Sequence, residues 1–153
     1  MTYEFLGKTV SGPFTIPSGI VTTAPSIIQR IMRDVPAVGV ITTKSIGLEP
    51  RVGNREPIYS QYAPGSFVNA VGLTNPGAYA SLEALSKLDV PDDKFLLVSI
   101  FGGSVEEFVT TATLLEPVAD GFELNLSCPH ASGYGMAMGQ DPQMVGDIIR
   151  AVK

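Results

Sequence analysis

Apolar positions along the chain switch between two periods. Short runs rich in β-branched and aromatic residues, FTIPSGIV at 14–21, AVGVITTKS at 37–45, KFLLVSIF at 94–101 and GFELNLS at 121–127, predict strands. After each comes a stretch with helical spacing: Ile27, Ile28, Ile31 and Met32; Leu82, Leu85 and Leu88; Val105, Phe108, Ala112 and Leu115; Val145, Ile148, Ile149 and Val152. Start signals accompany the later helices. Asn75 with Pro76 is the expected N-cap and first helical residue of the second, Ser104 with Glu107 a capping box for the third, and Asp141 with Pro142 the start of the fourth.

Near-continuous apolar strands, each followed by an amphipathic helix, predict an α/β fold in which helices cover a parallel sheet. Four such βα units are countable. Ahead of them TYEFLGKTVSGPF, with turn signals at Gly7-Lys8 and at Ser11-Gly12-Pro13, predicts a small N-terminal hairpin plugging the bottom of the sheet. Some thirty residues separate the second strand from its helix, from Ile46 to Asn75, a connection long enough to suggest a functional insertion.

Ligands of parallel α/β folds bind beyond the carboxyl ends of the strands. Those ends here are Pro17-Ser18-Gly19, Thr43-Lys44-Ser45, Ser99 and Asn125-Leu126-Ser127-Cys128, so four successive strands deliver small, polar or ionisable residues to one rim. A lone cysteine is ordinarily a small buried hydrophobe. Cys128, however, lies outside its strand beside Pro129, where a thiol can serve as a general base. Lys44 is placed to hold an anion or a developing negative charge. Asn125, if the alternation of its strand turns it inward, needs hydrogen-bond partners that a flat heterocycle with carbonyl and NH groups would supply; otherwise it caps neighbouring backbone. The loop ASGYGMAMGQ at 131–140 does not match a nucleotide-binding motif, and reads either as a movable lid or as a plain connection. His130 receives no role. One histidine and one cysteine cannot build a zinc site, so no metal is expected.

Composition narrows the class further. Of 153 residues, 44% are hydrophobic and 16% charged, with a net charge of −5, which fits a packed globular domain and offers neither nucleic acid nor an anionic membrane a basic surface. No apolar run reaches the length of a membrane span, and a single cysteine suits a reducing compartment, so a soluble, cytoplasmic location is the expectation.

TTKS at 42–45, NAVGLTNPG at 69–77 and ELNLSCP at 123–129, in this order and on these elements, resemble the dihydroorotate dehydrogenases, FMN enzymes of pyrimidine biosynthesis built on a TIM barrel. The resemblance implies that Cys128 is the catalytic base taking a proton from C5 of dihydroorotate while hydride leaves C6 for FMN, cysteine in this place being similar to the soluble class 1 enzymes. It implies that Lys44 contacts flavin and substrate and steadies the negative charge of the reduced flavin. Asn69 and the backbone amides of Gly72 and Leu73 would hold the orotate carboxylate, Asn125 would bond the pyrimidine ring, and Ser18, Gly19 and Ser45 would lie against the flavin. The thirteen-residue step from Cys128 to Asp141 looks like subclass 1B, which implies a separate FAD and iron–sulfur subunit passing electrons to NAD.

A closed barrel of this kind takes about 250 residues. Residues 1–153 are therefore expected to be the N-terminal half of an FMN-dependent (β/α)8 barrel, with the C-terminal half absent from this chain, an open-edged unit that associates into an oligomer or with its missing half, and inactive alone. Two other readings stay open. His130 stands after Cys-Pro as in the related dihydropyrimidine dehydrogenases, and a non-catalytic half-barrel could pair with itself through its open edges.

Overall fold

The chain was analysed as a computed structural model, which describes residues 3–129 and 133–153. Strands β3 (Phe14–Ile16), β4 (Val38–Thr42), β7 (Phe95–Ile100) and β8 (Gly121–Leu124) form one sheet in the order β3-β4-β7-β8, every pairing parallel. Helices α1 (Pro25–Asp34), α2 (Ala78–Leu85) and α3 (Val105–Leu115) connect successive strands, and α5 (Pro142–Val152) follows β8. This is the expected α/β fold, a partial parallel barrel of four βα units.

Strand alternation divides the sheet into two faces. Ile41, Leu96, Val98 and Ile100 point outward, where they bury against Ile28 and Met32 of α1, Ala78 and Leu85 of α2, Phe108, Ala112 and Leu115 of α3 and Ile148 of α5. Fully burying one such Leu, Ile or Phe is worth about 1.5–3 kcal/mol, so this layer is the main source of stability. The opposite face carries Val40 and Phe95, covered from below by the hairpin of β1 (Tyr3–Phe5) and β2 (Lys8–Val10) through Val10, with Phe5 edge-on to Phe95 at 5.0 Å. Lys8 ties the hairpin to Asp120, the residue before β8, at 2.8 Å.

Several local expectations need correction. The hairpin turn is Leu6-Gly7, both at positive φ (46° and 83°), one residue earlier than the Gly-Lys signal suggested; Gly7 supplies the left-handed second position of a tight turn. Helix α2 starts at Ala78 with Gly77 as its cap. Asn75 is drawn into the interior instead, where its Oδ1 accepts from the N–H groups of Gly47 and Gly77 and its Nδ2 donates to the Leu73 carbonyl. Pro76 is accordingly outside the helix. Ile27 and Ile149 are exposed, because the apolar faces of α1 and α5 are narrower than their sequences implied. The caps at Ser104 and Asp141 are present: Ser104 accepts from the Glu107 N–H, and Asp141 from those of Gln143 and Met144. Glu107 reaches back to the Gly103 N–H rather than to Ser104, so the box is displaced by one residue on one side.

The long insertion folds into a second antiparallel hairpin, β5 (Tyr59–Ala63) and β6 (Ser66–Asn69), which the sequence reading missed. Its signal was present: YSQYA and SFVN are strand-like runs joined by Pro64-Gly65, the pair a type II turn favours. A further short helix, α4 (Met136–Gly139), lies in the stretch read as a lid or a plain connection, with Met138 buried in the main core. Of that stretch 131–132, together with His130, fall outside the described residues.

Lys94 at the foot of β7 is 2% exposed and gives its three protons to Ser11 Oγ (2.8 Å), the Val38 carbonyl (2.7 Å) and the Val35 carbonyl (3.1 Å). Burial pushes its pKa below the ordinary 10.5, with Asp93 partly opposing. A folded-state pKa below the unfolded one means that the unfolded chain binds more protons in the window between them. Stability from this group therefore rises as pH climbs through the lowered value toward 10.5. Lys94→Met should cost about 1–3 kcal/mol at neutral pH, because it removes the short donor to the Val38 carbonyl, while the Val35 carbonyl keeps only the Val38 N–H. In thermal melts across pH, the wild type's lead over the variant should widen on the alkaline side; a constant lead would mean that Lys94 does not titrate there.

Candidate active site

Beyond the carboxyl ends of the four parallel strands is an open cavity of ≈ 690 Å³. Each residue given a catalytic or binding role in advance lies on its wall: Ser18 and Gly19 after β3, Lys44 and Ser45 after β4, Asn69 at the end of β6, Gly72 and Leu73 before α2, and Asn125 and Cys128 after β8; Ser99, named only as a strand end, does not. The strand ends converge because all four strands run the same way, and the β5–β6 insertion folds over them to bring in Asn69 and Tyr59.

The floor is a hydrogen-bonded junction centred on Ser45. Its Oγ lies 2.8 Å from Ser99 Oγ, 3.2 Å from Ser18 Oγ and 2.9 Å from Asn125 Nδ2, which donates to it. Asn125 is held in this orientation by its other end, since Oδ1 accepts the backbone N–H groups of Cys128 (3.3 Å) and Ser127 (3.4 Å). Asn125 thus faces inward, as alternation suggested, and also caps local backbone. Its second amide N–H has no partner among the described residues. Lys44 crosses the mouth toward β3, where a Cβ added to Gly19 would sit 3.7 Å from its Nζ.

Cys128 is half-buried and packs with Leu73, Phe101 and Tyr134. A clamp joins it to the loop at 72–73. Arg51 donates to the Gly72 carbonyl at 2.9 Å and lies 5.2 Å over the ring of Tyr134, which meets Phe101 edge-on at 5.7 Å. Leu73 holds a positive φ of 60°, an uncommon conformation for a branched residue, kept by burial of its side chain against Phe101. Neither Gly72 N–H nor Leu73 N–H has an acceptor among the described residues.

Sequence reasoning passed over four contributors. Tyr59 lines the cavity and stacks on Phe67 at 5.1 Å, but its hairpin went unrecognised. Arg51 carries no motif. Ser99 was noted as a strand end without a task. Glu123 faces the inner side two residues before Asn125, a position that the period of two already fixed. Among the described residues no three His, Cys, Asp or Glu side chains gather as a metal site would require, and no helix is long and apolar enough to cross a membrane.

A parallel βα sheet with its polar rim at the carboxyl ends defines a barrel-type enzyme scaffold. Comparison with known proteins makes the class specific. The family model described as Dihydroorotate dehydrogenase matches residues 1–153, and the chain belongs to that family. It is 45% identical over 152 residues to a Pyrococcus furiosus protein named dihydroorotate dehydrogenase B (NAD(+)), catalytic subunit, covering 98% of this chain and 48% of that one. The Methanocaldococcus jannaschii protein of the same name is 39% identical over 150 residues, again with 48% of its length covered. The chain therefore spans about half the length of the curated relatives it matches. DHODH from Eimeria tenella, solved in complex with ferulenol, superimposes with a TM-score of 0.81 at 19% identity over 99% of this chain and 42% of that one, which establishes the TIM-barrel kinship of the fold.

Gly135 is the tightest backbone contact at the thiol. It sits at φ +56°, and a Cβ there would fall 2.4 Å from the Cys128 carbonyl oxygen and 2.9 Å from Cys128 Cβ. Gly135→Ala should displace the Cys128 segment and change its rate of alkylation by iodoacetamide several-fold, a clean measurement because the chain has one cysteine. An unaltered rate would show that the 128–135 contact does not position the sulfur.

Proposed function

We propose that residues 1–153 form the N-terminal half of an FMN-dependent dihydroorotate dehydrogenase, completed by a C-terminal half that supplies the remaining strands. The observation that carries this is the wall of the cavity. Lys44, the free N–H of Asn125 and the backbone N–H groups of Gly72 and Leu73 all present donors, which suits a flat, acceptor-rich ligand bearing a carboxylate. The same donor set and the small residues Ser18 and Gly19 fit a flavin ring laid against them. Bound FMN would supply the hydride acceptor.

The chain's own residues have separable tasks. The Gly72 and Leu73 amides with Asn69 hold the substrate carboxylate, and Asn125 bonds the pyrimidine ring. Cys128, as thiolate, takes the proton from C5 as hydride departs from C6, leaving the C5–C6 double bond of orotate. Lys44 places a positive charge beside the mouth, where negative charge develops. Leu73, Phe101 and Tyr134 keep water from one side of the thiol. The named relatives are catalytic subunits of an NAD(+) form, which supports a separate electron-accepting subunit, read here as an FAD and iron–sulfur protein in a cytoplasmic assembly.

Two observations favour competing readings. His130 after Cys-Pro favours a dihydropyrimidine substrate, and the single-sided pairing of β3 and β8 favours a self-associating, non-catalytic half-barrel. One experiment separates all three: joining this chain to the part of the Pyrococcus furiosus subunit that follows its matched region. A yellow assembly whose flavin is reduced by dihydroorotate, and not by dihydrouracil, is the expected result; the reverse preference selects the dihydropyrimidine reading. A colourless dimer that ignores the added half selects the structural one. In the yellow assembly Cys128→Ala should retain FMN and slow its reduction by about 100-fold or more, the range of a lost general base. Unchanged reduction would remove Cys128 from the mechanism.

A further inference from the structure

We propose that Ser99, which does not reach the cavity, is a positioning residue that fixes the direction of a hydroxyl chain and so makes Ser18 a hydrogen-bond donor to an acceptor atom of the flavin. The proposal rests on the flavin reading above and assigns a task to a residue that reading leaves idle.

Counting protons fixes the direction. Ser99 is 0% exposed and its Oγ has one partner among the described residues, Ser45 Oγ at 2.8 Å. Asn125 Nδ2 donates to Ser45 Oγ at 2.9 Å, and its orientation is not free, because the N–H groups of Ser127 and Cys128 claim Oδ1. A serine oxygen has one proton and accepts twice. If Ser99 donates to Ser45, then Ser45 accepts from both Ser99 and Asn125, its own proton goes to Ser18 at 3.2 Å, and Ser18 is left with a free O–H at the cavity wall. With the direction reversed, Ser18 donates to Ser45 and Ser45 to Ser99, whose proton then has no acceptor in a fully buried place. Buried polar groups are almost always paired, so the first arrangement prevails.

The consequence is selective. Ser18 keeps its proton for the ligand, so a carbonyl oxygen or an unprotonated ring nitrogen above it gains a donor that the reversed chain would withhold. Asn125 links this choice to the thiol segment, since the amide that fills one lone pair of Ser45 also anchors the backbone of Cys128.

The test is a double-mutant cycle on FMN affinity in the completed barrel, followed by quenching of flavin fluorescence. Ser99→Ala and Ser18→Ala should each weaken FMN binding by about three- to tenfold, the worth of one neutral hydrogen bond, and the double variant should be no weaker than the weaker single. A structural role for Ser99 would instead give losses that multiply. Multiplying losses, or either single variant with wild-type affinity, would overturn the relay while leaving the flavin reading intact. A wild-type assembly that takes no FMN would overturn the flavin reading itself.

Discussion

Parallel pairing of four strands whose side chains alternate with a period of two is the constraint from which the other features follow. Ile41, Leu96, Val98 and Ile100 face the helices only because Val40, Leu97, Ser99, Glu123 and Asn125 face the other way. A slip of one residue in β7 would bury Ser99 under α3 and expose Val98 to the axis, exchanging an apolar contact for an unpaired hydroxyl. The outward layer therefore does more than stabilise: it sets the height at which Ser45, Ser99 and Asn125 meet. Register between neighbours adds the last condition, with Ser99 directly beside Glu123 and the Asn125 N–H donating to the Ile100 carbonyl.

Much of this was legible in the sequence because it depends on local pattern. Strand periodicity, the Ser104 and Asp141 caps, and the clustering of polar residues at strand ends are all properties of short windows, and each was found where it was expected. Misplacements arose where a long-range contact outbid a local signal. Asn75-Pro76 has the form of a helix start, yet Asn75 gains more by bridging Gly47 to Gly77 inside the fold than by capping α2 at the surface. Arg51 illustrates the other limit. Its guanidinium gathers the Gly72 carbonyl and Tyr134, separated from it by 21 and 83 positions, and no window of sequence holds that relation.

The cavity combines rigid and strained parts in a way that suits binding on a preformed surface. Ser45, Ser99 and Asn125 are fixed by one another and by strand ends, so the floor needs no reorganisation when a ligand arrives. The 72–73 corner is the strained part, held left-handed at Leu73 by the Arg51 clamp and the Phe101 contact. Its two N–H groups thereby have no acceptor among the described residues, the state that the proposed carboxylate role requires.

Glu123 bears on how the open side of the sheet is covered. It lies on the inner face above Leu97, near Thr15 and Thr42, with no hydrogen bond or ion pair among the described residues. Closing two copies of the chain face to face would carry two such carboxylates into one interior and bring together two bodies of net charge −5. Burying an unpaired charge costs several kcal/mol, and like charges in one low-dielectric site add to that. A complementary half that brings a cation to Glu123 meets neither penalty. Within the proposed completion, the charge on this one strand thus weighs for a half of different sequence and against a second copy of this one.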